Sequence, residues 1–173
     1  MKRFLWGAIT LILAIAIVGF WYLKTGRLDT RALGNTPSTM ESVIASAALD
    51  ASIMRRAPTI SDPVLPTTAT LTTGAQLYSA HCSACHGTPA VPESMLAHGL
   101  YPPVPQFFQR PPDMPANENF FVVKYGVRWT GMPGWGRALS DQQIWTLATF
   151  LSQIGKLPPA VTQTANGAAP ATP

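Results

Sequence analysis

The chain has 173 residues, with 12 Lys and Arg against 8 Asp and Glu, a formal net charge of +4 and 47% hydrophobic residues. The excess charge sits mostly on Lys2 and Arg3, because residues 24 to 62 carry five basic and four acidic side chains and residues 63 to 157 again carry five and four. No basic patch marks a nucleic-acid surface, and no nucleic-acid partner is expected.

Residues 4 to 23, FLWGAITLILAIAIVGFWYL, contain no charge. Twenty apolar residues make a helix of about 30 Å, the thickness of a bilayer core. Trp6, Trp21 and Tyr22 flank the run, where amphipathic rings favour the headgroup level. The run is longer than a usual signal-peptide core and no A-x-A site follows it, so residues 1–23 are expected to be an uncleaved transmembrane anchor. Lys24, Arg27 and Arg31 beyond it rival Lys2 and Arg3, so charge bias alone leaves the topology open.

Residues 24–69 form an extension. Ser38-Thr39-Met40-Glu41 is a capping-box sequence, and Met40, Val43, Ile44, Ala47, Ala51 and Met54 follow at helical spacing until Pro58. The pattern predicts an amphipathic helix over 39–57, packing its apolar stripe on the following domain, with a membrane surface or a partner subunit as alternatives. Pro58, Pro63 and Pro66 then predict an extended linker.

Thr73-Gly74-Ala75-Gln76 is a candidate capping start for a short helix through Leu77 and Tyr78. It leads into Cys82-Ser83-Ala84-Cys85-His86, which holds the only two cysteines of the chain. C-x-x-C-H is the pattern of covalent haem attachment: two thiols add to the two vinyl groups at one porphyrin edge, and the next residue's imidazole falls beneath the iron. A zinc site would need further ligands that His81 and His98 do not supply at a recognisable spacing. A thioredoxin-like pair would need a βαβ context, and a plain Cys82–Cys85 disulfide is the remaining alternative. Both cysteines are therefore expected to carry one c-type haem, with His86 as the proximal iron ligand.

Residues 89 to 115 are Pro-rich and exclude a long helix or a central strand. A helix is predicted around 117–125, with Asn117 as its cap and Gly126 at its end. Ser140-Asp141-Gln142-Gln143 opens a last helix carrying Ile144, Leu147, Ala148, Leu151 and Ile154, with Gly155 as the stop. Residues 157–173, LPPAVTQTANGAAPATP, lack large apolar periodicity and are expected to be disordered.

Over residues 70–156 these features resemble a class I cytochrome c. Gly74 stands eight positions before Cys82 and Tyr78 four before it, as the small and aromatic residues of that family's N-terminal helix do; Thr130-Gly131-Met132-Pro133 resembles the family's sixth-ligand loop. The resemblance implies an all-α fold, a small haem domain with an N-terminal transmembrane helix and an amphipathic extension helix. It implies a close crossing of Gly74 and Tyr78 with Leu147 and Phe150 of the last helix. It also implies Met132 as the distal iron ligand, with Met114 as the main competitor, and a proline carbonyl, Pro102 or Pro103, accepting from His86 Nδ1. Tyr101, Trp129, Trp135, Phe107 and Phe108 are candidate haem walls, and Arg110 and Arg128 candidate propionate partners.

Cytochromes c are assembled on the outer face of the bacterial cytoplasmic membrane, so the resemblance places the haem domain on the periplasmic side of a single-pass anchor. The expected function is electron transfer by a tethered single haem cycling Fe(III)/Fe(II), without enzymatic activity of its own and without a small-molecule substrate. Redox proteins such as a dehydrogenase or terminal oxidase are the expected partners. The alternatives are a fixed subunit of such a complex and a gas-binding haem sensor.

Overall fold

The computed structural model describes residues 2 to 167. Among them are seven α-helices and no strand: α1 (Lys2–Lys24), α2 (Thr39–Arg56), α3 (Thr68–His81), α4 (Ser83–His86), α5 (Ala116–Tyr125), α6 (Asp141–Ser152) and α7 (Pro159–Ala165). The chain divides into two units, one ending at Arg31 and one beginning at Ala32.

The first unit is α1 and the few residues after it. By length and composition α1 can cross a membrane, with a mean hydropathy of 2.3 over its most apolar window. Lys24 and Arg27 lie over the rings of Phe20 and Trp21, at 5.7 and 5.2 Å from their centroids, so positive charge gathers at the polar end of the helix.

The second unit is built on the crossing of α3 and α6. α6 starts where expected: Ser140 Oγ accepts from Gln143 N, and the Gln143 side chain accepts from Ser140 N, a complete capping box. α3 begins earlier than the sequence suggested, capped by Thr67 through Thr70 N, and the 73–76 signal lies inside the helix. Gly74 is there for contact with α6: a Cβ on it would stand 2.5 Å from Phe150 Cβ and 2.9 Å from Thr146 O. Tyr78 is fully buried, its ring 5.4 Å from that of Phe150, and its phenol donates to Gly87 O at 2.8 Å. Leu147 is fully buried in the same layer.

α5 packs on α6 through Phe120, whose ring stacks at 4.3 Å on Trp145. Pro115, not Asn117, stands at its N-cap; the Asn117 amide instead donates to Pro58 O. Gly126 ends the helix as expected, with φ 69°.

Two segments differ from expectation. Residues 159–165, expected to be disordered, form α7 against α3, with Val161 and Ala165 fully buried. Pro159 sits in the first turn, where its missing N–H costs nothing, and Val161, Thr164 and Ala165 make a small face at i, i+3, i+4. The end of the expected disordered tail, 168–173, lies outside the described residues.

The extension also departs from a free linker. Asp62 accepts from Thr149 Oγ1 at 2.7 Å and from Val64 N at 2.9 Å, and Val64 joins the core. α2 is capped by Ser38 as predicted and packs on α5 through Ile53, but its predicted apolar stripe is exposed rather than buried on the domain.

Candidate functional site

Cys82, Cys85 and His86 come together because one turn of helix follows α3. Cys85 N and His86 N both donate to Cys82 O, at 3.1 and 2.9 Å, and a spacing of three and four residues puts the three side chains on one side of that turn. Gly87 then breaks away with φ 78°, and a Cβ there would stand 2.7 Å from Pro92 O, so the exit from the motif requires glycine. Cys82 and His86 are buried and Cys85 half-buried.

His86 is held on several sides. Its Nδ1 lies 2.9 Å from Pro105 O, which assigns the ring proton to Nδ1 and leaves the Nε2 lone pair for a metal. Phe107 stacks on the imidazole at 4.2 Å with an interplanar angle of 6°. Burial lowers the His86 pKa, the Pro105 bond opposing it, so the ring is neutral and ready to ligate at neutral pH. The acceptor is thus Pro105, rather than Pro102 or Pro103.

Gln106 explains that choice and is the functional residue that sequence reasoning missed. Its amide nitrogen donates to Cys85 O at 3.0 Å and Val104 O at 2.9 Å, and its oxygen accepts from Ser94 N at 2.8 Å. Phe107 N closes the clamp by donating to His86 O. A side chain offering both donors and an acceptor, set in a Pro-Phe run, is the signal that could have found it.

Burial, and secondarily Cys85, pushes the Cys82 thiol up to about 12, so it carries almost no thiolate at neutral pH. That is the reverse of a thiol–disulfide exchange pair. Among the described residues no group of three or more His, Cys, Asp or Glu side chains could hold a metal ion, which leaves the zinc reading without ligands.

Met132 lies half-buried in a loop folded on itself. Val127 N donates to Met132 O, Met132 N to Thr130 Oγ1, and Thr130 Oγ1 to Val127 O, at 3.2, 3.1 and 2.8 Å. Gly126 lets this loop cross the end of α5, since a Cβ there would be 2.6 Å from the Pro133 and Gly134 backbone. Gly131 abuts Leu100, so the loop borders the Pro-rich segment that carries Pro105.

The other candidates scatter. Tyr101 donates its hydroxyl to Glu41 at 2.7 Å, tying α2 to the Pro-rich segment. Phe108 meets Tyr78 edge-on, and Trp135 tilts over His81 at 4.9 Å. Trp129 has φ 61° and is 91% exposed, with Arg128 5.9 Å over its ring; Arg110 is also exposed. Met114 is half-buried, its carbonyl capped by the Asn119 amide.

The donor set fits a c-type haem: two thiols for its vinyl groups, an imidazole with a free Nε2 beside them, and a thioether on a closed loop bordering the same segment. Residues 69–151 match the family model of cytochrome c oxidase, cbb3-type, subunit III. No curated protein matches the chain. Among solved structures it is similar, at 20% identity and a TM-score of 0.46, to a chain of the Kuenenia stuttgartiensis reducing HAO-like protein complex, over 56% of this chain and 50% of that one. It thus spans half the length of that relative. Residues 69–151 are a domain of the cytochrome c family, preceded in the chain by the apolar helix α1.

Proposed function

We propose that the chain is a membrane-tethered electron carrier with a single haem, fixed through Cys82 and Cys85 and ligated by His86 and Met132. The reading is supported above all by the His86–Pro105 bond, which fixes the tautomer a proximal iron ligand needs. When bound, the c-type haem supplies the one-electron Fe(III)/Fe(II) couple. The chain's residues orient and tune. The Pro105 carbonyl raises the basicity of the imidazole, Phe107 fixes its plane, and a thioether from Met132 favours Fe(II).

His86 and Met132 would hold the haem iron between them, and the group so held would supply electron transfer rather than bond chemistry. α1 is the anchor, and the second unit stands on the periplasmic side of the bacterial membrane, facing a dehydrogenase or terminal oxidase. α2 and residues 58–64 are pinned to the domain through Glu41, Asn117 and Thr149, so residues 39–64 are not loose chain. The test is a redox titration of the purified full chain followed by visible spectra. The reading expects one single-electron transition and a low-spin reduced form that ignores carbon monoxide; a carbon monoxide adduct would establish the gas-sensor reading instead.

A fixed subunit of a respiratory complex is the second reading, favoured by the description of the matching family model. Mild detergent extraction and sizing separate the two, since a stoichiometric complex contradicts a free shuttle.

A further inference from the structure

We propose that the turn at residues 127–130 is the docking point for a redox partner, with the Trp129 ring as its anchor and the Arg128 guanidinium pairing with a carboxylate of that partner. The inference rests on the electron-carrier reading and names the surface through which the exchange runs. Thr130 N donates to Val127 O at 3.3 Å, so Arg128 and Trp129 are the two central residues of a turn. Trp129 has φ 61° and, among the described residues, is the only one besides glycines with a positive φ. Turns with a positive φ at the third residue take Gly or Asn there, because a Cβ in that conformation is strained. This chain places its bulkiest side-chain type at that point, and the ring is 91% exposed. Backbone conformation and hydration of the ring are thus both unfavourable in the free protein, and strain of this kind collects at sites that bind.

The exposure is not that of a pocket wall. Phe107, Met132 and Trp135 are half-buried, with protein behind them, whereas Trp129 is nearly free of protein apart from Arg128, whose guanidinium carbon lies 5.9 Å over the ring. The turn is nonetheless held still. Val127 N donates to Met132 O and Met132 N to Thr130 Oγ1, so the ring and the candidate iron ligand belong to one closed loop. A side chain presented by a fixed turn loses less freedom on binding.

Charge indicates the kind of partner. Arg128 is exposed and makes no ion pair among the described residues. No acidic residue occurs between Glu118 and Asp141, a stretch that also carries Lys124 and Arg137. Lys124 is answered by Asp141 at 2.8 Å, and Arg128 has no such counterpart. Trp and Arg are the residue types that dominate binding energy at interfaces. One ring and one guanidinium bury far less than the roughly 1,200 Å² of a stable complex, which suits the brief encounters of redox proteins. The partner is a membrane redox protein with an apolar recess edged by carboxylates. A lipid surface suits the turn less, because Val127 and Thr130 on either side of the tip are half-buried and a single large ring is left to insert. In the exchange one electron passes between the iron of this chain and a metal centre of the partner, one being oxidised as the other is reduced, and no bond forms or breaks.

The test follows electron exchange between the full haem-loaded chain and membranes of its source organism prepared from cells lacking the chain, both in mild detergent. Trp129→Ala should raise the chain concentration giving half the maximal rate by about tenfold or more. The rate at saturation, the visible spectrum and the midpoint potential should not move, and Trp129→Phe should recover most of the loss. Reaction of Trp129→Ala with hexacyanoferrate(III), which needs no docking surface, should keep its rate. Arg128→Glu should raise the half-saturating concentration severalfold and flatten its dependence on ionic strength, whereas Arg55→Glu, the same charge change on α2, should leave both unchanged. An unmoved half-saturation in Trp129→Ala, or equal responses to the two arginine variants, would overturn the docking point. A shifted spectrum or potential in Trp129→Ala would overturn it by assigning the ring to the haem pocket, and a defect present in intact membranes but absent in detergent would do so by assigning it to lipid. Membranes that exchange no electron with the unsubstituted chain overturn the carrier reading and the inference with it, whereas normal exchange indifferent to Trp129 overturns the inference alone.

Discussion

His86 and Met132 lie 46 residues apart in sequence and are held by different kinds of structure. The histidine is buried, bonded through Nδ1 to Pro105 O, stacked on Phe107, and clamped by Gln106, which ties the Pro-rich segment to the helical turn of the motif. The methionine sits on a half-buried loop whose bonds are mostly its own, closing Val127, Thr130 and Met132 on one another. A ligand held by distant segments moves only if the domain opens, whereas one held by local turn bonds can leave while the fold persists. In the proposed site, the methionine side is therefore the one that should open first.

The largest effect expected is at the frame common to both sides. Gly74→Val drives a branched side chain into Phe150 Cβ and the Thr146 carbonyl, neither at the end of a flexible chain. A loss of about 3 kcal/mol in thermal unfolding is expected, with both ligand sides lost together. Separate loss of one side would break the comparison.

Gln106→Ala attacks the histidine side alone. It leaves Ser94 N and Cys85 O without their partner, for a cost of about 2 kcal/mol. It should also loosen Pro105 and lower the reduction potential or broaden the His86 ring resonances, while the Met132 band persists. Thr130→Val attacks the methionine side alone by removing the hydroxyl that links Met132 N and Val127 O, at about 1 kcal/mol. Here the methionine band should weaken at a pH where global unfolding has not begun.

What could be read in advance follows the locality of each signal. The α6 start was legible because Ser140 and Gln143 carry the whole cap between them, and the haem motif because its chemistry fits in five residues. The α3 start was not, since Thr67 caps Thr70 N without the Glu or Gln that completes a capping box, whereas Thr73 and Gln76 carry that pattern inside the helix. Helix α7 escaped because its buried face is Val161, Thr164 and Ala165, residues too small to register as apolar periodicity yet suited to close approach. Pro105 was missed because a carbonyl's direction depends on Gln106, whose partners lie 12 and 21 residues away. In α2 the periodicity identified the stripe but not its direction, as Leu49 and Ile53 on the opposite side are equally apolar.

The smallest effect concerns the base of the methionine loop, where Lys124 pairs with Asp141 at 2.8 Å. The hydrogen bond to Asp141 raises the Lys124 pKa above 10.5, against a desolvation that lowers it. A raised folded value stabilises fully below the unfolded value and is lost as pH rises through the folded one. Stability should accordingly fall slightly above pH 10.5, by no more than about 0.5 kcal/mol for so exposed a pair, and Lys124→Met should flatten that limb of the pH profile.

The assignment of Met132 opposite His86 is tested most directly by the visible spectrum and midpoint potential of the purified, haem-loaded Met132→Ala chain beside the unsubstituted one. The expected result is loss of the methionine-to-Fe(III) charge-transfer band together with a lower potential. An unchanged band and potential would contradict the assignment and move the sixth ligand elsewhere, Met114 first.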